Sequence, residues 1–320
     1  MRYRVCANHC PQAASVTRQK STAKVRSSGP VRKRFGQNFL NDPNIIDRII
    51  SSIDPLPTDR ILEIGPGRGA LTDQLFRSGC HLELVEIDRD LVSALGRKFG
   101  DRVRIHPVDV LKFDFSQLGG HGAIRVVGNL PYNISTPLLF RLFQYTGLFD
   151  DLIFMLQLEV VDRITARPDS RDYGRLTIMS KYFCDAEKLF NVPPEAFKPM
   201  PKVNSAIIRL RPRHDRSDGV KDIKVLEQLL ITAFSKRRKT VRNALRTYLS
   251  TDDLNRLNID ASLRPENLTP EEYFRCANYI TDRNSIDGHV SGASRSGNQS
   301  GNHRTGTRGP RNHGADINPT

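Results

Sequence analysis

A strand that runs directly into closely spaced glycines and then into a helix restricts this chain's fold more than any other segment, and it lies at 61–69 as ILEIGPGRG. Glycines at such a turn let the backbone approach a ligand closely, and an acid at the end of the next strand is placed to hold a ribose diol. Glu86, in LVEID, stands 21 positions after Gly65, where that acid belongs. Around this unit, short apolar runs at 60–64, 82–87, 103–107, 125–128 and 152–156 read as strands. They alternate with segments at 43–52, 70–78, 89–98 and 136–146 whose apolar residues recur at three and four, the spacing of a helix face. The alternation predicts an α/β fold with a parallel, doubly wound sheet.

The spacing admits two nucleosides, a nicotinamide dinucleotide or S-adenosylmethionine. The glycines fall at the first, third and fifth places rather than the first, third and sixth of the dinucleotide pattern. Glu63, just before them, would repel a pyrophosphate but suits a cationic amino or sulfonium group. Asp109, in PVDVLKFDF after another apolar run, can accept a hydrogen bond from an adenine amine. The expected cofactor is S-adenosylmethionine.

A second segment, GNLPYNIS at 128–135, combines an amide, a rigid backbone and an aromatic ring. An adenine exocyclic amine is a poor nucleophile because its lone pair is delocalised into the ring. If the Asn129 side-chain oxygen and a main-chain carbonyl of the turn at Leu130 and Pro131 accept its two protons, the lone pair is turned towards an incoming methyl. Pro131 keeps that turn out of a helix, and Tyr132 offers a face on which an extruded base can stack, worth roughly 1–3 kcal/mol per base. This chemistry calls for no metal. Two methylations of one nitrogen need a wide pocket, and a second aromatic wall would help; Tyr182 or Phe183, closing the apolar run LTIMSKYF, is expected there, with Phe183 the choice.

Charge bears on the partner. The net charge is +14, but residues 1–34 carry nine Lys/Arg and no acid, and residues 288–320 carry four Arg against Asp316, leaving the middle near +2. Basic surface on the folded body is therefore local: Lys236 to Lys239 with Arg242, and Arg209, Arg211 and Arg213, which alternate as on one strand face. Residues 1–30 and 285–320 are low in apolar content and expected to be disordered. Cys6, His9 and Cys10 lack a second ligand pair nearby and are read as chance. Five Cys at irregular spacing fit a reducing cytoplasm rather than a disulfide framework. No apolar run approaches the roughly 18 residues of a membrane span. From about 212 the strand signals stop, and 221–250 and 270–280 read as helical, the second opened by a capping Thr269 with Pro270 and Glu272. The division expected is 31–210 for the sheet domain and 211–284 for a small helical domain.

These segments together resemble a known family. RFGQNFLND at 34–42, EIGPG at 63–67, VEID at 85–88, GNLPYNIS at 128–135, FMLQ at 154–157, YGRL at 173–176, VPPEAF at 192–197, PKV at 201–203 and RRKTVR at 237–242 are similar, in order, to the bacterial small-subunit rRNA adenine dimethyltransferases. The resemblance covers about 31–282. It implies a Rossmann-like S-adenosylmethionine-dependent methyltransferase fold with cofactor contacts at Asn38, Leu40, Gly65, Glu86, Asp109 and Asn129. It also implies a substrate of two adjacent adenosines in the hairpin loop near the 3′ end of small-subunit rRNA, each methylated twice. Members act on a partly assembled small subunit (a pre-30S particle), and loss of the modification gives kasugamycin resistance. The catalytic set expected is Asn129, Leu130, Pro131, Tyr132 and Phe183, in a cytoplasmic monomer that binds neither DNA nor membrane, with the basic clusters on RNA phosphates. Rival readings are an assembly factor of this fold without catalysis, a DNA adenine methyltransferase, and the relatives that methylate one large-subunit rRNA adenosine.

Overall fold

The glycine turn is entered from a five-residue strand whose last four residues are buried, and the rest of the fold is arranged around that strand. The computed structural model describes residues 37–119, 122–214 and 219–293, with side chains to 285. The expectations for residues 1–30, for Cys6, His9 and Cys10 and for the chain beyond 293 lie outside the described residues. In chain order the elements are β1 (Phe39–Leu40), α1 (Pro43–Ile53), β2 (Arg60–Ile64), α2 (Thr72–Arg77), β3 (His81–Val85), α3 (Arg89–Phe99), β4 (Arg104–His106), β5 (Ile124–Asn129), α4 (Ser135–Phe143) and β6 (Phe149–Gln157). There follow α5 (Leu158–Ile164), α6 (Arg175–Phe183), β7 (Cys184–Val192), β8 (Phe197–Lys198), β9 (Ser205–Pro212), α7 (Ile223–Ser235), α8 (Val241–Ala244), α9 (Thr251–Arg256) and α10 (Pro270–Ala293).

Seven strands form one sheet in the order β4-β3-β2-β5-β6-β9-β7. β2 to β6 are parallel, while β9 runs antiparallel to both β6 and β7. Strand order reverses between β2 and β5, and a crevice at the carboxyl ends of two such strands is where ligands bind in open α/β sheets. β2, β5 and most of β6 are covered on both faces, which is why they read as near-continuous apolar runs. Their two faces pack into two apolar clusters, one holding Leu62, Val126 and Phe154, the other Ile61, Val127 and Ile153.

Helix ends follow their sequence signals. Asp42 caps α1 by accepting from the N–H of Asn44 at 2.8 Å and of Ile45 at 3.2 Å, with Pro43 in the first turn. Thr269 and Glu272 cap α10 reciprocally, the Thr269 N–H donating to Glu272 and the Glu272 N–H to Thr269 Oγ1.

Three features depart from expectation. β7 is an edge strand whose charged residues Asp185, Glu187 and Lys188 leave few apolar positions, so periodicity alone does not reveal it. The helical stretch expected over 221–250 breaks after Ser235, because Lys239 turns back to donate to the carbonyl of Lys236 and Val241 donates to that of Leu263. Beyond 280 the last helix continues to Ala293, overrunning the start expected for the disordered tail. The closing helices also share a core with the sheet: Leu226, Leu230, Tyr273 and Phe274 belong to the same cluster as Phe154 and Ile208. No helix among the described residues is long and apolar enough to cross a membrane.

At the reversal point the sheet leaves no room for a side chain on β5. Gly128 on β5 pairs with Ile64 on β2, and a Cβ built on Gly128 would lie 2.4 Å from the Ile64 carbonyl oxygen. Two main chains cannot yield there as a flexible side chain would. Gly128→Ala is expected to lower stability by about 2–3 kcal/mol, read as a shift of the urea midpoint, with a larger loss than any alanine placed at an exposed glycine such as Gly147.

Candidate active site

β2 delivers Glu63 and then the turn Gly65 to Gly69, in which all three glycines have positive φ. At Gly67 this freedom is matched by crowding, since a Cβ would lie 3.1 Å from two ring carbons of Phe39. The turn is held from the next strand. The Gly65 N–H donates to the Val85 carbonyl at 2.9 Å, and the Gly67 N–H to Glu86 Oε2 at 3.3 Å. Glu86 Oε1 accepts from the Asp88 N–H at 2.9 Å. Burial raises the Glu86 carboxyl above its ordinary range, and the N–H groups of Asp88, Gly67 and Ile87 oppose that rise. After β4, Asp109 accepts from the Leu111 N–H at 3.0 Å, a local turn that fixes the carboxylate.

β5 delivers the opposite wall. Asn129 is its last residue, and its Nδ2 donates to the Asn38 carbonyl at 3.0 Å, which fixes the amide plane and leaves Oδ1 as its acceptor. Leu130 is buried, with its N–H on the Met155 carbonyl at 3.2 Å. Pro131 accepts from the Ile134 N–H at 3.1 Å, closing the turn that presents Tyr132. Tyr132 shares a hydrogen bond of 2.7 Å with the Ser205 hydroxyl, and burial pushes its phenol up while that bond pulls it down.

One cavity of about 490 Å³ is lined by Asn38, Leu40, Gly65, Glu86, Asp109, Asn129, Leu130, Pro131 and Tyr132. The structure therefore brings every expected site residue to one place except Phe183. That ring stacks on Phe143 at 5.2 Å and meets Tyr182 edge-on, and Tyr182 in turn meets Phe274. Both belong to the core between α4, α6 and α10, so neither walls the cavity, which corrects the expectation of Phe183 as a second aromatic face. An aromatic run closing a helix carried no information on which side the helix would bury.

Phe39 and Lys198 also line the cavity and were not anticipated. Phe39 stood between two expected residues in QNFL, and Lys198 is brought in by the pairing of β1 with β8, in which Phe39 faces Lys198. Four acids line the site, Glu63, Asp73, Glu86 and Asp109, against Arg68 and Lys198. Such a surface suits a ligand with positive centres and no phosphate. Away from the cavity, Arg209 does not project outward. It is ion-paired with Asp151 and donates to the Ser52 carbonyl, whereas Arg211 and Arg213 pair on the surface with Glu187 and Asp185. Arg237 is paired with Glu266, and Arg238, Lys239 and Arg242 are exposed.

A profile of the family described as "Ribosomal RNA adenine dimethylase" matches residues 30–282. Proteins named "Ribosomal RNA small subunit methyltransferase A" from Pseudomonas fluorescens and Coxiella burnetii are each 51% identical, over 79% and 78% of this chain and 94% and 98% of their own lengths. Among solved structures, a dimethyladenosine transferase from Plasmodium falciparum is 26% identical and superposes with a TM-score of 0.67, covering 77% of this chain and 98% of its own. The 23S rRNA methyltransferase ErmE is 25% identical with a TM-score of 0.57, over 76% of this chain and 100% of its own.

Glu63 gives the site a pH signature. It is buried, accepts from the Thr72 hydroxyl at 2.7 Å, and burial pushes its carboxyl up to about 8, the Thr72 bond opposing and Glu86 and Asp73 adding to the rise. The folded protein keeps a proton that the unfolded chain releases above the ordinary value of 4.5, so this group lowers stability progressively as pH rises from about 4.5 to about 8. Glu63→Gln removes that penalty. Its melting temperature is expected to match the unaltered protein near pH 4.5 and to exceed it by several degrees at pH 8, at roughly 2–4 °C per kcal/mol.

Proposed function

Because the chain belongs to the ribosomal RNA adenine dimethylase family, we propose that its cavity joins an S-adenosylmethionine site to an adenosine site at the reversal point of the sheet. The protein is an S-adenosylmethionine-dependent rRNA adenine dimethyltransferase: it methylates the exocyclic amines of two adjacent adenosines near the 3′ end of small-subunit rRNA. The observation that carries this reading is the Asn129 amide, locked by the Asn38 carbonyl on a cavity that also holds the glycine turn and the Tyr132 ring.

The residues present fit the cofactor. Gly67 has no side chain where one would press on the Phe39 ring that lines the cavity, and the acid-rich lining matches a cationic nucleoside rather than a dinucleotide. When bound, S-adenosylmethionine supplies an electrophilic methyl on its sulfonium. Glu86, fixed by two backbone N–H groups, would hold the ribose hydroxyls, Asp109 the adenine amine, and Asn38, Leu40 and Gly65 the walls. Glu63 would meet the ammonium, whose charge favours the ionised carboxylate that burial disfavours.

On the substrate side, Asn129 Oδ1 and the Leu130 carbonyl would each accept one hydrogen of the target amine, turning its lone pair towards the methyl. Pro131 fixes that carbonyl, and the Tyr132 ring stacks on the base. A loop adenosine is already partly unstacked, so drawing it in costs less than flipping one out of a duplex. After transfer the nitrogen sheds a proton to water, and the monomethylated amine must turn to present its lone pair again.

The finer reading is a monomer that works in the cytoplasm on a pre-30S particle and not on DNA, its sheet domain at 31–210 and a helical RNA-contacting domain at 211–284. Relatives named for the small subunit at about half identity over most of their length support it over the large-subunit alternative. Exposed Arg238, Lys239 and Arg242 provide phosphate contacts.

Asn129→Ala is expected to lower methyl transfer by at least a hundredfold while leaving RNA affinity within a factor of two. Mass spectrometry of small-subunit rRNA, and kasugamycin sensitivity in cells lacking their own enzyme, would read the loss; equal activity in the variant refutes the role. Replacing Arg238, Lys239 and Arg242 together by Ala should weaken RNA binding and flatten the slope of log affinity against log salt by about 2, with the cofactor affinity unchanged.

A further inference from the structure

We infer that Ser205 is a positioning residue, which sets where the Tyr132 ring lies and thereby how much room the target amine has for its second methyl. The inference rests on the reading above that Tyr132 stacks on the adenine. Tyr132 follows β5, whereas Ser205 opens β9, and β6 lies between those strands. At roughly 4.8 Å per strand the ring must lie across the end of β6 to reach its partner.

The two ends of this link differ in freedom. Ser205 is fully buried and paired on both sides, to Gln157 of β6 and Val192 of β7. The neighbouring carbonyl of Asn204 accepts from the Leu158 N–H at 3.0 Å, closing the sheet end at that point. Its backbone therefore cannot follow the ring. Tyr132 is half-buried in a turn, where its own carbonyl accepts from the Ser135 hydroxyl at 3.1 Å. With main chain and phenol both tied, rotation about the ring's long axis is the motion left to it. Without the Ser205 bond the side chain is free to visit the other staggered wells, which move the ring from this position.

The two chemical steps differ in their need for that wall. An unmodified amine can be turned by the Asn129 amide and a carbonyl, through two hydrogens. A monomethylated amine has a single hydrogen left and a methyl to accommodate, so the position of the base depends more on the stacking face. Loss of the Tyr132–Ser205 bond should therefore slow the second transfer more than the first.

Ser205→Ala and Tyr132→Phe delete the same hydrogen bond from opposite ends, and the second leaves the sheet untouched. Each is expected to lower kcat/KM on small-subunit particles about tenfold and to raise the monomethyladenosine share of the products several-fold. The double variant should be no worse than either single one, and the dissociation constant for S-adenosylmethionine should stay within twofold of the unaltered protein. An unchanged rate and product ratio in Ser205→Ala would overturn the inference. So would losses that multiply in the double variant, or a loss of cofactor affinity in step with activity. If the unaltered protein makes no dimethyladenosine, the parent reading fails and this one with it.

Discussion

Two parallel strands approach so closely at the centre of the sheet that one of them must lack a side chain, and the site is built on that contact. The pairing of Ile64 with Gly128 sets β2 and β5 side by side where the strand order reverses. The glycine turn that leaves β2 and the Asn129 amide that ends β5 consequently open into one crevice. A side chain at 128 would push these strands apart and move the glycine turn relative to the amide. The chemistry needs those two walls at a fixed separation, because in-line transfer tolerates little misplacement.

The electrostatics of the crevice work against the fold and for the ligand. Glu63 and Glu86 are both buried, and burial raises both carboxyls. Glu86 is compensated by backbone N–H donors, so it can stay fixed as an acceptor. Glu63 has the Thr72 hydroxyl and acidic neighbours, which leaves it disposed to keep its proton. A cationic ligand reverses that disposition. Under the proposed function, the stability held back in the free protein would become selectivity for a positive cofactor.

The short strap from Gln37 to Asn41 and the segment that begins at Phe197 reach the same cavity by pairing with one another. The strap carries the Asn38 carbonyl that locks the amide, and the strand after that segment carries the Ser205 hydroxyl that ties the tyrosine. The Asn129 amide and the Tyr132 ring are therefore braced by segments far apart in the chain. The exposed Arg238, Lys239 and Arg242 lie outside the cavity lining, on the turn after α7 and in α8, where they can contact phosphates without entering the cavity.

Local chemistry determined what could be read from the sequence alone. The glycine turn with Glu86, the capping Thr269 and the rigid amide-bearing turn at 129–132 are short-range signals, each set by backbone conformation or by hydrogen-bonding capacity within a few residues. The same signals placed the parallel strands, since strands covered on both faces are apolar throughout. What tertiary structure decided was the direction and company of side chains. Phe183 faces the core because α6 packs between α4 and α10, Arg209 turns inward because Asp151 and the end of α1 meet it, Phe39 and Lys198 reach the cavity through a strand pairing, and Ser205 meets Tyr132 from two strands away. Burial and partnership between residues tens to more than a hundred positions apart are properties of the packed chain, and no periodicity in the sequence encodes them.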